Sequence, residues 1–126
     1  MVEKSRDYII RLTRQIAHEE GLPPSFAIGV MMAESGGRLG RDGRMIMGVP
    51  VSRYQYNTCR SKRAVGPFQL MADTAKELGV DREDLYQNIR GGIRYLKNNL
   101  ELFGGDLVVL WNITPKNHHV YIRHIK

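Results

Sequence analysis

Apolar residues recur at helical spacing along most of this chain, and glycines punctuate them. Ile9, Ile10, Leu12, Ile16 and Ala17 stand among charged residues, which predicts an amphipathic helix from about Val2 to Glu20, ended by Gly21. Pro23 and Pro24 open a second helix, since proline is tolerated in a first turn, and Ser25 is its candidate cap. From Phe26 to Ala33 the residues are small and apolar without interruption. A helix of that composition is expected to be buried on most of its circumference. It ends in Glu34 and is stopped by Gly36 and Gly37, glycine being suited to the left-handed C-cap.

From Gly36 to Arg63 the pattern changes. Glycine recurs at 36, 37, 40, 43 and 48, and Arg44 to Met47 and Val49 to Tyr56 contain short β-like runs around Pro50. This predicts a long basic loop or a small hairpin. The stretch from Ala64 to Met71 then leads into a short helix through Ala75 and Leu78, ended by Gly79. A longer helix runs from about Asp84 to Leu102, with Ile89, Ile93, Leu96 and Leu100 as its buried stripe. Gly91 and Gly92 lie inside it at a cost of roughly 1 kcal/mol each against alanine, so another backbone is expected to approach closely there. Gly104 and Gly105 end this helix, and Asp106 caps a further one from Leu107 to about Ile113. Pro115 opens a terminal segment, Lys116 to Lys126, expected to be helical. The fold class is therefore mainly α, with strand confined to the central loop and no internal repeat or linker.

Composition narrows this picture. The chain has 126 residues, which favours a single domain over 1–126, and its 42% hydrophobic and 25% charged content is that of a soluble globular protein. No apolar run has the length of a membrane span. The charged start, Met1 to Asp7, has no apolar h-region, so no secretory signal peptide is expected. Cys59 is the only cysteine, which excludes an internal disulfide. The net charge is +6 and the pI about 9.7. Arg38, Arg41, Arg44, Arg53, Arg60, Lys62 and Arg63 stand against the single acid Asp42, and this stretch alone accounts for the excess. Such a surface suits polyanionic partners.

The candidate chemistry centres on Glu34. Apolar neighbours and the partially negative carbonyl end of its helix both disfavour the charged carboxylate and should raise its pKa. A carboxylic acid kept protonated near neutral pH can protonate a leaving-group oxygen. The plainer alternative is that Glu34 only marks where the helix meets solvent. His18-Glu19-Glu20 is not a His-Glu-x-x-His zinc pattern, and His118, His119 and His124 lack i, i+4 spacing, so neither metal nor cofactor is expected. Cys59 has no base beside it and reads as a surface thiol. Tyr54 and Tyr56 either stack on sugar or pack the loop.

Three separated pieces carry a resemblance: Glu34-Ser35 at a helix end, Ala64-Val65-Gly66-Pro67-Phe68-Gln69-Leu70-Met71-Ala72-Asp73-Thr74-Ala75, and Asn88-Ile89-Arg90-Gly91-Gly92-Ile93-Arg94-Tyr95-Leu96. In this order, over roughly positions 10 to 113, the chain resembles the SLT-type lytic transglycosylase domain of the lysozyme-like superfamily. The resemblance implies that Glu34 is the catalytic acid/base and Ser35 the serine beside it. It implies that Gly66 and Gln69 line a saccharide groove and that Tyr95 lies near the carboxylate. Leu110-Trp111-Asn112 stands where the family has Ala-Tyr-Asn, which makes Trp111 and Asn112 candidate substrate contacts. Pro67-Phe68 replaces Leu-Met and keeps an apolar wall at Phe68. Ile113-Thr114 replaces Ala-Gly. The stretch between Glu34 and Gly66 is longer than is usual in the family, and the extra length is the basic loop.

The implied activity is cleavage of peptidoglycan's β-1,4 bond between N-acetylmuramic acid and N-acetylglucosamine, leaving 1,6-anhydro ends. Two alternatives stay open. One is goose-type lysozyme-like hydrolysis, with Asp42 holding a water in place of a second catalytic carboxylate. The other is a catalytically silent docking module of a phage particle or secretion machine. The expected partner is the peptidoglycan glycan strand, with phage-particle or secretion-apparatus proteins beside it, rather than nucleic acid. The expected place of action is the bacterial wall, reached without a signal peptide.

Overall fold

The computed structural model describes residues 6–40, 43–48 and 63–114. It contains five helices: α1 (Arg6–Glu20), α2 (Pro24–Ser35), α3 (Ala72–Leu78), α4 (Leu85–Leu102) and α5 (Leu107–Ile113). No strand is present among the described residues, so the mainly α expectation holds for them. The expected β-like run from Val49 to Tyr56, the helix from Lys116 to Lys126, and the positions Val2 to Ser5, Asp42, Tyr54, Cys59, His118, His119 and His124 lie outside the described residues.

The α1 helix buries Ile9, Thr13, Ile16 and Ala17, one face at i, i+4, i+7 and i+8. Thr13 is tolerated on that face because its hydroxyl donates to the Ile9 carbonyl at 2.7 Å. The helix ends in a Schellman motif: Leu22 N–H donates to Ala17 O and Gly21 N–H to His18 O. The same pair of bonds closes α3, from Val80 and Gly79, and α4, from Gly105 and Gly104. Glycine punctuation in the sequence therefore located three helix ends through one hydrogen-bonded device.

The α2 helix buries Ala27, Val30, Met31, Glu34 and Ser35. Its start corrects the sequence expectation. Pro23 occupies the cap position with Pro24 next, no side chain caps the helix, and Ser25 lies exposed within its first turn. Pro24 has no N–H to satisfy, so the first turn loses little by lacking a cap. The helix runs one residue past Glu34. It ends at Ser35, where left-handed Gly36 donates to Met32 O.

Asp84 caps α4 by accepting from Gln87 N–H, and Asp106 caps α5 by accepting from Val108 and Val109 N–H. The core is built from Ile9, Ile16, Ala17 and Leu22 on α1 and its exit, Ala27, Val30 and Met31 on α2, and Leu85, Ile89, Ile93 and Leu96 on α4, with Phe68 and Leu70 from the intervening segment. The α1 helix packs on α2 and α4, while α3 and α5 pack on α4. Arg90 and Arg94 of α4 form ion pairs with Glu20 of α1, and Arg90 also reaches Glu19.

Two short antiparallel bridges, Met47 with Val65 and Val65 with Leu70, are what the expected hairpin becomes among the described residues. They join Ile46–Gly48 to Ala64–Gly66 through Gly48 N–H to Ala64 O at 2.8 Å and Gly66 N–H to Ile46 O at 2.7 Å.

Candidate active site

The segment from Val65 to Leu70 folds into a closed turn. Val65 and Leu70 exchange both backbone hydrogen bonds at 3.0 Å, and Gln69 N–H donates to Gly66 O at 2.9 Å. Gly66 has φ +85, and a Cβ there would lie 2.6 Å from Asn88 Cγ and 2.7 Å from Met45 Cε, so both conformation and space require glycine. Gln69 is the one non-glycine residue with positive φ among the described residues, at 49°. A left-handed non-glycine residue costs on the order of 1 kcal/mol and persists where its surroundings over-determine it. Here its own amide does part of that, donating to Gly66 O at 3.0 Å and to Ile46 O at 3.3 Å.

Two buried polar residues from beyond the turn complete the hold. Asn88, 0% exposed on α4, accepts from Phe68 N–H at 3.0 Å and donates to Val65 O at 2.8 Å and Arg82 O at 2.9 Å. The Arg82 guanidinium donates to Arg63 O at 2.5 Å and Leu70 O at 2.8 Å. Together they fix the backbone that presents Phe68 and Gln69. Phe68 in turn lies over Gly92 of α4, where a Cβ would come within 2.5 Å of the Phe68 Cβ. The close approach expected at Gly91 and Gly92 is thus real, but it is made by side chains, Val80 at Gly91 and Phe68 at Gly92, rather than by a backbone.

A cavity of about 150 Å³ lies where α2, this turn, α3 and α4 meet. Val30 and Glu34, one turn apart on α2, form one wall. Phe68, Gln69, Leu70, Met71, Thr74, Gly92, Tyr95, Leu96 and Thr114 form the rest. Glu34 is buried at 8% exposure and is the sole carboxylate among these lining residues. Gln69, Thr74, Tyr95 and Thr114 are the polar groups around it, and apolar residues make up most of the remainder. Such a site is smaller than the roughly 300–1,000 Å³ typical of pockets that enclose a whole ligand. It can enclose a reacting bond while a longer chain lies across its mouth.

Of the residues singled out from sequence, the structure brings Glu34, Phe68, Gln69 and Tyr95 to this cavity. Ser35, Gly66, Trp111 and Asn112 are not among its lining residues. The Ser35 hydroxyl is turned into the helix end, donating to Met31 O at 3.3 Å and accepting from Gly37 N–H at 3.2 Å. Gly66 shapes the turn from behind. Trp111 stands edge-on to Phe26, with ring centroids 6.3 Å apart, and so covers α2 further back toward its start. Asn112 is exposed on α5. Sequence reasoning missed Arg82, Thr74 and Thr114, and it did not see what Asn88 does. For Asn88 a signal existed: it is a polar residue three positions after Leu85 and four before Gly92, on the buried stripe of α4.

Residues 11–114 match the family model described as the Transglycosylase SLT domain. No solved structure matches the chain. The chain belongs to the transglycosylase SLT domain family, which at the level of the family assigns a lytic transglycosylase-type function on peptidoglycan. No helix among the described residues is long and apolar enough to cross a membrane.

Proposed function

We propose that this SLT-family chain cleaves the β-1,4 bond between N-acetylmuramic acid and N-acetylglucosamine, with Glu34 as the only catalytic carboxylate. The observation that carries the reading is a single buried acid facing Gln69 and Tyr95 in one cavity. A paired-carboxylate hydrolase needs a second acid at a set separation, and among the described residues Glu34 is the one carboxylate that lines this cavity.

In the first step the protonated Glu34 gives its proton to the glycosidic oxygen as the C1–O bond breaks. The substrate's own acetamido oxygen supports the positive charge left on C1. In the second step the Glu34 carboxylate takes the proton of the muramic C6 hydroxyl, and that oxygen bonds to C1. The products are a free N-acetylglucosamine 4-hydroxyl and a 1,6-anhydro end, and Glu34 is again protonated. No water is consumed. Acid/base assistance of this kind contributes about 10²–10⁴-fold in rate. Phe68, rigid over Gly92, and Gln69, fixed by its turn, give the sugar a preorganised wall.

The test is digestion of purified peptidoglycan followed by mass spectrometry of the released fragments. Anhydromuropeptides are expected from the parent and none from a folded Glu34→Gln variant. Reducing ends in place of anhydro ends would overturn the second step. No products from a folded parent protein would overturn the enzymatic reading, and retention of activity by Glu34→Gln would overturn the role of Glu34.

A further inference from the structure

A second concave surface lies away from the cavity, between the solvent face of α1 and the start of α2. It is an open groove of about 620 Å³ lined by Arg11, Arg14, Gln15, His18, Glu19 and Pro24. It shares no residue with the Glu34 cavity. Positions 11, 14, 15 and 18 follow i, i+3, i+4 and i+7, so they form one continuous stripe along the helix. All four are exposed.

The charge of this groove is less balanced than its composition suggests. Its one acid, Glu19, is already engaged. Arg90, which is not part of the groove, pairs with it at 2.5 Å, and Gln15 donates to its other oxygen at 3.2 Å. Those bonds, Arg90 first and then Gln15, hold the Glu19 carboxyl below the usual carboxylate range and keep it ionised and occupied. Among the described residues Arg11 and Arg14 have no ion pair with any carboxylate. Two guanidinium groups on one face of a groove are thus left to an external anion. Guanidinium binds carboxylate through two parallel hydrogen bonds, and its aliphatic stem offers apolar contact to small side chains.

We propose that this groove binds the acidic stem peptide carried by the muramic residue of the substrate, a proposal that rests on the peptidoglycan reading above. The α2 helix supplies the ruler. Pro24 at the groove and Glu34 at the cavity are separated by about 15 Å at a rise of 1.5 Å per residue. A tetrapeptide in extended form spans about 13 Å, and the lactyl link that joins it to the sugar adds to that, so a peptide attached to a sugar at Glu34 is comparable in length to this axial separation. A nucleic-acid strand fits the groove less well. It needs a longer cationic track with aromatic faces for its bases, and the lining contains no aromatic residue other than the imidazole of His18.

The test compares the parent with Arg11→Glu/Arg14→Glu and the milder Arg11→Gln/Arg14→Gln. Cosedimentation and turnover are measured on intact purified walls and on glycan strands stripped of peptides by an amidase, at low and high salt. Two exposed charge contacts are worth about five- to tenfold in binding. The expected result is a loss of that size on intact walls at low salt, smaller for the glutamine variant and smaller at high salt. Turnover on peptide-free glycan is expected to be unchanged. Equal binding of parent and double variants to intact walls overturns the proposal. An equal loss on both substrates overturns it too, because the groove would then hold the glycan itself. Parent binding to an RNA homopolymer that depends on Arg11 and Arg14, with wall binding unaffected, overturns it in favour of a nucleic-acid surface. If the parent cleaves neither substrate the catalytic reading fails, while cosedimentation still reports on the groove.

Discussion

Gly92→Ala is the sharpest perturbation the structure offers, because two effects of opposite sign meet at one atom. In an isolated helix the substitution stabilises by about 1 kcal/mol, the propensity difference between glycine and alanine. Here the new methyl would lie 2.5 Å from the Phe68 Cβ and 2.6 Å from its Cδ1. Phe68 cannot turn away to relieve this. It is 5% exposed, belongs to the core cluster, and has its N–H bonded to Asn88. The Phe68 Cγ and Cβ are the closest atoms, and because the Cβ is fixed to the main chain, relief requires movement of the backbone from Val65 to Leu70. Overpacking of a filled core costs about 1–3 kcal/mol, and an overlap this deep lies at the upper end. The net expectation is a loss of about 2 kcal/mol, read as a lower urea midpoint at unchanged slope. The same shift carries Phe68 and Gln69 away from Glu34, so cleavage of peptidoglycan should fall more than stability does. Gly91→Ala is the control. Its methyl would meet Val80 Cγ2 at 2.8 Å, the end of a half-buried side chain that can give way, and its two effects should nearly cancel. Phe68→Leu should not rescue Gly92→Ala, because leucine keeps the Cβ and Cγ that clash. A Gly92→Ala protein as stable and as active as the parent would refute the reasoning, and rescue by Phe68→Leu would refute the atomic cause.

Two further outcomes follow from the polar contacts. Asn88→Ala removes the partner of the Phe68 N–H and of the Arg82 carbonyl. At about 1–3 kcal/mol for each buried group left unpaired, stability in urea should fall by roughly 2–6 kcal/mol, with activity lost under conditions where the protein is still folded. The second outcome is a pH dependence. Glu19 and Glu20 both titrate below the usual carboxylate range, Glu19 chiefly through Arg90 and Glu20 chiefly through Arg94 with Arg90 after it. A depressed carboxylate contributes stability that is present above its unfolded pKa, about 4.3 for glutamate, and is lost as pH falls through the folded value. The parent should therefore lose stability on acidification below about pH 4, and Arg90→Met should lose less, as thermal unfolding across pH 3 to 7 would show.

Most of the fold was legible because its helices are periodic and their ends are chemically marked. Ile9, Ile16 and Ala17 name one face of α1, and Ile89, Ile93 and Leu96 name one face of α4. Gly21, Gly36, Gly79 and Gly104 stand where the chain turns left-handed to close a helix. Asp106 was legible as a cap because nothing else in its surroundings competes for that position. Ser25 misled because two prolines precede it, and a missing N–H removes the need that a cap would meet. Gly91 and Gly92 showed that space was required without showing what fills it. A glycine reports the absence of a side chain and is silent about whether a backbone or a ring arrives from outside.

The site was legible in parts and not as an assembly. Glu34, Phe68, Gln69 and Tyr95 lie on three separated segments, and no local pattern states that they share a cavity. What joins them is a set of hydrogen bonds from side chains to backbone carbonyls, which have no period to detect. Arg82 is an ordinary charged residue in sequence, yet it is buried at 8% exposure with its guanidinium on Arg63 and Leu70. Burial of an arginine is tolerable only when its donors are met, and that depends on where the turn places its carbonyls.

Hydrogen bonds of the same kind close the base of the stretch between Glu34 and Gly66. Gly48 bonds to Ala64 through its N–H and accepts from the Arg63 side chain at 2.7 Å. Ile46 O accepts from both Gly66 N–H and the Gln69 amide. These contacts tie 46–48 to 63–69, so the chain on either side of 49–62 is clamped at its base. Gln69 is part of that clamp, since both donors of its amide are bonded to carbonyls on the two sides of residues 49–62. Its strained backbone and its committed side chain therefore belong to one function. They hold in place the cavity wall that Gln69 shares with Glu34.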